Sequence, residues 1–280
     1  YNNAGNRIVQ KITDVTTLKN TDQGQGYSAT FKLERIANDG LTAMAAYTYS
    51  QTKDLMSAGS IAFSSWRDNS SVRGNNLPDL AFSNNDLTHR IIANLGYSFE
   101  WFKALNTSFS LFYQNQNQGR ISYRVNGDLN GDQLVSNDLL FVPNRASDLR
   151  FQQYTASWVT FTVAQQEAAF DQFINNDKYL SSRRGQYAER NGALMPMISS
   201  LDFSFSQEIF ATLGGKRNKL QLRADIFNFG NLLNSDWGVS NAIVNGSPLQ
   251  FMTRENGVPV YRFTNRGRCV ASSVRYQIYF

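Results

Sequence analysis

One cysteine and one histidine in 280 residues put several kinds of protein out of reach. Cys269 alone closes no internal disulfide, and with only His89 beside it the chain lacks material for a Cys/His metal centre. It reads as an incidental strand or loop residue. Long apolar runs are missing as well. No stretch approaches the roughly 18 consecutive apolar residues that a membrane helix requires, which excludes a helical membrane protein. The first residues, Tyr1-Asn2-Asn3-Ala4-Gly5-Asn6, show no basic n-region, no apolar h-region and no initiator Met. The chain therefore reads as a fragment whose export signal lies upstream. Dense positive charge is also absent. The net charge is +5, but the basic residues are dispersed, the tightest groups being Arg183-Arg184 and Arg262 with Arg266 and Arg268. Neither is the stripe that phosphate neutralisation needs, so no nucleic-acid partner is expected.

Aromatic residues are abundant. The chain has 20 Phe and 13 Tyr, yet its mean hydropathy is -0.41, the average of a water-soluble polypeptide. A membrane β-barrel reconciles the two, because its strands alternate lipid-facing apolar with lumen-facing polar residues and its outer loops are polar.

Period-two alternation recurs in segments of about ten residues. Tyr27, Ala29, Phe31 and Leu33 share one face, with Ser28, Thr30, Lys32 and Glu34 on the other. The turn Asn38-Asp39-Gly40 supplies positive φ for a tight hairpin, which returns through Leu41, Ala43, Ala45, Tyr47 and Tyr49. A second pair sets Ile91, Ala93, Leu95, Tyr97, Phe99 and Trp101 on one face. After Phe102-Lys103-Ala104 it returns with Leu105, Phe109, Leu111 and Tyr113. A third runs through Leu201, Phe203 and Phe205, turns at Gly214-Gly215, and returns with Leu220, Leu222, Ala224 and Ile226. A last strand is expected over 271–280, with Val274, Tyr276, Ile278 and Phe280 on one face.

Long polar stretches, roughly 53–88 and 117–195, separate these hairpins. Loops beyond ~15 residues are uncommon in compact soluble domains, whereas short periplasmic turns opposite long extracellular loops are the asymmetry of transmembrane barrels. Residues 164–180 have helix formers with Ala169, Phe170, Phe173, Ile174 and Asp177 at helical spacing, which predicts a short helix inside an extracellular loop, packed on its neighbours. Tyr47, Tyr49, Tyr97, Trp101, Tyr113, Tyr276 and Tyr279 lie near strand ends, where an interfacial girdle needs amphipathic rings; the alternative is the filling of a soluble sandwich core. The expected fold is all-β: an antiparallel transmembrane barrel segment, not a closed barrel, with long outer loops.

Candidate chemistry is sparse. Asp128, Asn130 and Asp132 have the i, i+2, i+4 spacing that presents oxygen ligands to Ca²⁺, and Asp138 adds a carboxylate. Gln133 stands where an EF-hand loop has Gly, and such loops also turn without metal. A bound ion would brace the loop without catalysing anything. His89 has no partner motif for catalysis and reads as a residue at a strand start. Gly214-Gly215-Lys216 lacks the spacing of a phosphate loop and reads as a hairpin turn. No enzyme activity and no cofactor beyond structural Ca²⁺ are expected.

The ending Val274-Arg275-Tyr276-Gln277-Ile278-Tyr279-Phe280 resembles the C-terminal β-signal of outer-membrane proteins, which the barrel assembly machinery reads. Physically it is the strand that closes the barrel edge against lipid. Asp128-Leu129-Asn130-Gly131-Asp132 with Ser136-Asn137-Asp138-Leu139-Leu140-Phe141-Val142-Pro143 is similar to a loop of TonB-dependent receptors related to Oar. So are Gly185-Gln186-Tyr187-Ala188-Glu189-Arg190-Asn191-Gly192, the run from Leu222-Arg223-Ala224-Asp225 through Asn231-Leu232-Leu233-Asn234 to Trp237-Gly238, and Tyr47-Thr48-Tyr49-Ser50 with Lys53-Asp54. The resemblance implies a barrel of about twenty-two strands plugged by an N-terminal domain, importing a ligand with energy from TonB. The whole chain, 1–280, then corresponds to the C-terminal barrel portion, without plug, TonB box or N-terminal strands. Three functions follow: import of a nutrient ligand, a non-transporting surface or adhesion barrel in the same membrane, or a soluble β-sandwich binding module.

Overall fold

The computed structural model describes residues 17–36, 39–102, 104–135, 137–243, 246–264, 269–273 and 278–279. Six long strands form one antiparallel meander: β1 (Gln25–Ile36), β2 (Leu41–Asp54), β3 (His89–Trp101), β4 (Leu105–Asn117), β5 (Met197–Leu213) and β6 (Lys216–Ile226), each paired with its chain neighbours. Ile278–Tyr279 pairs with Asp225 and Ile226 at the far edge. The sheet is open, running in a line from β1 to this last piece.

The turns explain the meander's polarity. Gly40, Gly214 and Gly215 have positive φ, the conformation that a tight hairpin needs and that glycine adopts without penalty. All three short connections lie at one end of the sheet. The described parts of the connections 55–88, 118–196 and 227–277 follow the opposite strand ends.

Register turns local alternation into two continuous faces, because directly opposed residues of an antiparallel pair point the same way. One row reads Leu33, Ala45, Ala93, Tyr113, Leu201; the next Ala43, Leu95, Leu111, Phe203, Ile226; the next Leu41, Tyr97, Phe109, Phe205, Ala224. Apart from Phe229, which packs on Phe203 at 5.6 Å near the loop end, this face has little cover among the described residues: Phe31 is 72% exposed, Leu95 50% and Leu220 59%. A sandwich would bury these side chains under a second sheet. The ten residue steps from Ile91 to Trp101 span roughly 33 Å along the strand, and about 25 Å of height at the tilt of membrane barrels, which matches the apolar band of such barrels.

Aromatic residues bracket that band. Near the turns Phe99 packs on Trp101 at 5.0 Å and Phe109 on Phe205 at 5.4 Å, while Trp101 Nε1 donates to Thr107 Oγ1 at 3.1 Å. At the loop end Tyr47 Oη lies 2.8 Å from His89 Nδ1, Tyr49 packs on His89, and Tyr27 Oη donates to Gln51. The opposite face is a polar network. Ser108 donates to Ser98, Ser98 to Asn106, Asn106 to Glu208, and Lys219 Nζ pairs with Glu208 at 2.7 Å.

The buried core lies in the loops, where the sequence reading expected polar connections. Fourteen buried residues form it, drawn from 123–188, Ala193 and a third-loop hairpin of β7 (Leu249–Glu255) and β8 (Val258–Phe263). The hairpin is held on both sides, since Val125–Asn126 pairs parallel with β7 and Arg150–Phe151 with β8.

The expected helix over 164–180 is two helices. The first, α1 (Val163–Asn176), begins in a capping box in which Gln165 N donates to Thr162 Oγ1 and Thr162 N to Gln165 Oε1. Asp177 breaks it by adopting an extended backbone and capping α2 (Lys178–Ser181) through Leu180 N at 2.8 Å. The apolar stripe packs as expected, with Phe170 and Ile174 fully buried. Gln166, also buried, ties α1 to β8 by accepting from Phe263 N at 3.1 Å.

The expected strand over 271–280 divides. Cys269–Ser273 pairs with Val239–Ile243, and only Ile278–Tyr279 joins the main sheet. Of the terminal signal, Val274, Tyr276 and Phe280 lie outside the described residues; Ile278 sits opposite Ile226.

Candidate functional site

Where the first two loops meet above the strand ends, buried ion pairs organise the backbone. Asp86 and Arg120 are almost wholly buried, 2.5 Å apart. Asp86 also accepts from Thr52 N at 2.8 Å and from Thr88 Oγ1 at 2.8 Å. Burial pushes its carboxyl up, but hydrogen bonds from Arg120, Thr88 and Thr52 outweigh this and leave it below the ordinary carboxylate range. The Arg120 guanidinium stacks on Phe82, 3.5 Å from the ring centroid. Arg190, 5% exposed, pairs with Asp54 at 2.7 Å and donates to Ser57 Oγ at 3.3 Å. Asn191 clamps the same junction, donating to Phe82 O and Asn84 Oδ1.

Of these residues, Ser57, Asn84, Arg120, Arg190 and Asn191 line a cavity of about 470 Å³. Its lining is hydroxyl-rich, with Ser57, Ser60, Ser64, Ser65, Ser70 and Ser122, and among the described residues it includes Arg120, Arg124 and Arg190 and one acidic residue, Asp68. Asp68 is itself paired with Arg67. Gly246 forms part of the wall: a Cβ there would stand 2.5 Å from Ser122 O, so only glycine allows Arg124 N to bond Gly246 O at 2.7 Å.

The Asp-rich loop is elsewhere. The structure does bring Asp128, Asn130, Asp132 and Asp138 together in one loop, where each accepts at least one backbone amide. Asp128 accepts from Gly131, Asp132 and Gln133; Asn130 from Asp132; Asp132 from Leu134; and Asp138 from Leu129. Among the described residues no group of three or more acidic, His or Cys side chains is disposed to hold a metal ion. Asp138 is 4% exposed, and burial first, then the nearby Asp132 and Asp128, holds its carboxyl above the ordinary value.

A carboxyl whose folded pKa is raised opposes folding above that value, and the opposition fades as pH falls below it and is gone below the ordinary carboxylate value. Asp138→Asn, measured in chelator at pH 7, is therefore expected to stabilise the loop cluster, read as slower amide exchange at 125–140. If calcium occupies the loop in its presence, the same substitution destabilises it instead.

The remaining sequence candidates stand where strand geometry puts them: His89 at the start of β3, and Gly214-Gly215 in the β5–β6 turn. The β7–β8 hairpin escaped the sequence reading, although Asn256-Gly257, both at positive φ between alternating flanks, is its signal. Nothing local marks the cavity, whose arginines and serines come from segments up to 133 residues apart.

Comparison with known proteins gives one match. A family described as an outer membrane beta barrel domain matches residues 1–251. No curated protein and no solved structure matches.

Proposed function

Because the chain belongs to the outer membrane beta barrel domain family and resides in the bacterial outer membrane, we propose that it is the C-terminal barrel part of a TonB-dependent receptor that imports a nutrient. The observation that carries this reading is the packed loop core. A passive pore needs only a wall and a polar lumen, whereas a receptor must hold its ligand against water in a preorganised site. Here fourteen buried residues fasten the loops into one body, and a polar cavity sits where that body meets the wall. The polar network along β3–β6 then faces the lumen.

The partners follow from the surfaces. Lipid covers the apolar face, the barrel assembly machinery reads the terminal strand, and TonB acts through a plug domain that the likeness to Oar-related receptors implies. The test compares depletion of medium solutes, by mass spectrometry, in cells with and without the intact protein. Depletion that depends on the protein and stops with a protonophore is the expected result. Depletion that persists with the protonophore would make the protein a passive pore, and no difference would make it a surface protein that transports nothing.

A further inference from the structure

We infer that the cavity between the first two loops is a binding site for a compact hydroxylated oxyanion, a carboxylate or phosphate carried on a polyol. The inference rests on the receptor reading for its biological sense, but its chemistry stands on the cavity alone.

Three observations point to this class. Size is the first: about 470 Å³ is ample for a solute of one sugar ring and falls within the usual range of small-molecule sites. Charge is the second. Arg120, Arg124 and Arg190 line the space, and counting Arg67, Arg120, Arg124 and Arg190 against Asp54, Asp68 and Asp86 leaves a positive excess around it; guanidinium forks match the paired oxygens of carboxylate and phosphate. The Nε of Arg190 is buried and makes no hydrogen bond among the described residues, although the rest of its guanidinium is engaged by Asp54 and Ser57.

The third observation is the hydroxyl lining. Serine hydroxyls both donate and accept, as the hydroxyls of a polyol require. Those of Ser64 and Ser70 make no side-chain hydrogen bond among the described residues, so they are available to a ligand. Among the described residues no aromatic side chain lines the space, and Ile121 is the one large apolar residue there. A ligand with a broad apolar or aromatic face would gain little there.

The cavity is also held in shape before any ligand arrives. Arg120 is fixed by Asp86, Thr88 and the Phe82 ring, and Asn191 pins Ser122 through its backbone amide at 2.8 Å. Side chains already ordered lose little freedom on binding.

The experiment is calorimetric titration of the intact protein, folded in detergent micelles, with four probes: glucuronate, glucose 6-phosphate, glucose and inorganic phosphate. The two sugar acids are expected to bind at least about tenfold more tightly than glucose, as expected of hydrogen bonds to charged groups, and more tightly than phosphate alone. Arg124→Gln should weaken both acids about tenfold or more and leave the weak glucose signal unchanged. Ser64→Ala, which disturbs no ion pair, should weaken them by a smaller factor and so guards against a folding defect in the arginine variant. Glucose binding as tightly as the acids would overturn the charge argument. Phosphate binding as tightly as glucose 6-phosphate would overturn the polyol, and acids that fail to bind at millimolar concentration would overturn the site. Binding without protonophore-sensitive depletion in cells would uphold the site while sinking transport, so the two readings fail separately.

Discussion

Replacing Phe170 by alanine is expected to release the outer loops to proteases while leaving the barrel wall folded. Phe170 is fully buried and its ring packs on Phe151, Phe173 and Phe263, which joins α1 to β8 and to the segment paired with it. Truncating a buried Phe costs about 3–5 kcal/mol, because the lost transfer free energy is compounded by the cavity left behind. The open population of the loop body should therefore rise by about two to three and a half orders of magnitude, since each 1.4 kcal/mol is a factor of ten. Limited trypsin digestion followed by mass spectrometry reads this as rapid cleavage near Arg145, Arg183 and Arg184. The wall should keep its heat-modifiable migration on a denaturing gel, because no β1–β6 residue belongs to this core. Unchanged loop cleavage would mean that these loops are not one packed body.

The second large effect concerns the wall. Leu95 lies midway along β3 between Ala43 and Leu111 on the apolar face, whereas Asn94 points to the polar face opposite Met44 and Phe112. An arginine on a lipid face at the bilayer midplane costs about 2–4 kcal/mol, because its charge must leave water or drag water in. Leu95→Arg should therefore lower urea-unfolding stability in vesicles by that amount, while Asn94→Arg costs within about 1 kcal/mol. Equal penalties would deny that the two faces meet different solvents, and the reverse order would turn the sheet inside out.

The wall was legible in the sequence because a strand with lipid on one side and water on the other writes its environment at every second residue. Runs such as Ile91, Ala93, Leu95, Tyr97 and turns such as Gly214-Gly215 therefore carried both strand and register. The loop core wrote no such pattern. Tyr123, Val125, Leu140, Val142 and Ala188 enter it singly or in pairs from irregular segments, so no periodicity separates them from polar connections. The helix was visible from its apolar stripe, but its break was not, because Asp177 acts through a cap rather than through helix propensity. The Asp-rich loop shows the same limit from the other side: spacing located its oxygens, whereas only three dimensions reveal which backbone amides they accept. The cavity was the least legible feature, since Ser57, Arg120 and Arg190 converge through pairings that span the chain.

The membrane-facing assignment of β3 can be read most directly by spin labels. With Cys269 replaced by serine, a label is placed in turn at each residue from Ile91 to Trp101 of the intact protein in lipid vesicles. Its accessibility to molecular oxygen, which concentrates in lipid, is compared with its accessibility to a water-soluble nickel chelate. Oxygen accessibility should peak at Ile91, Ala93, Leu95, Tyr97 and Phe99 and fall at Ile92, Asn94, Gly96 and Ser98. A flat profile, or maxima at the even positions, would contradict a wall with lipid on its apolar face.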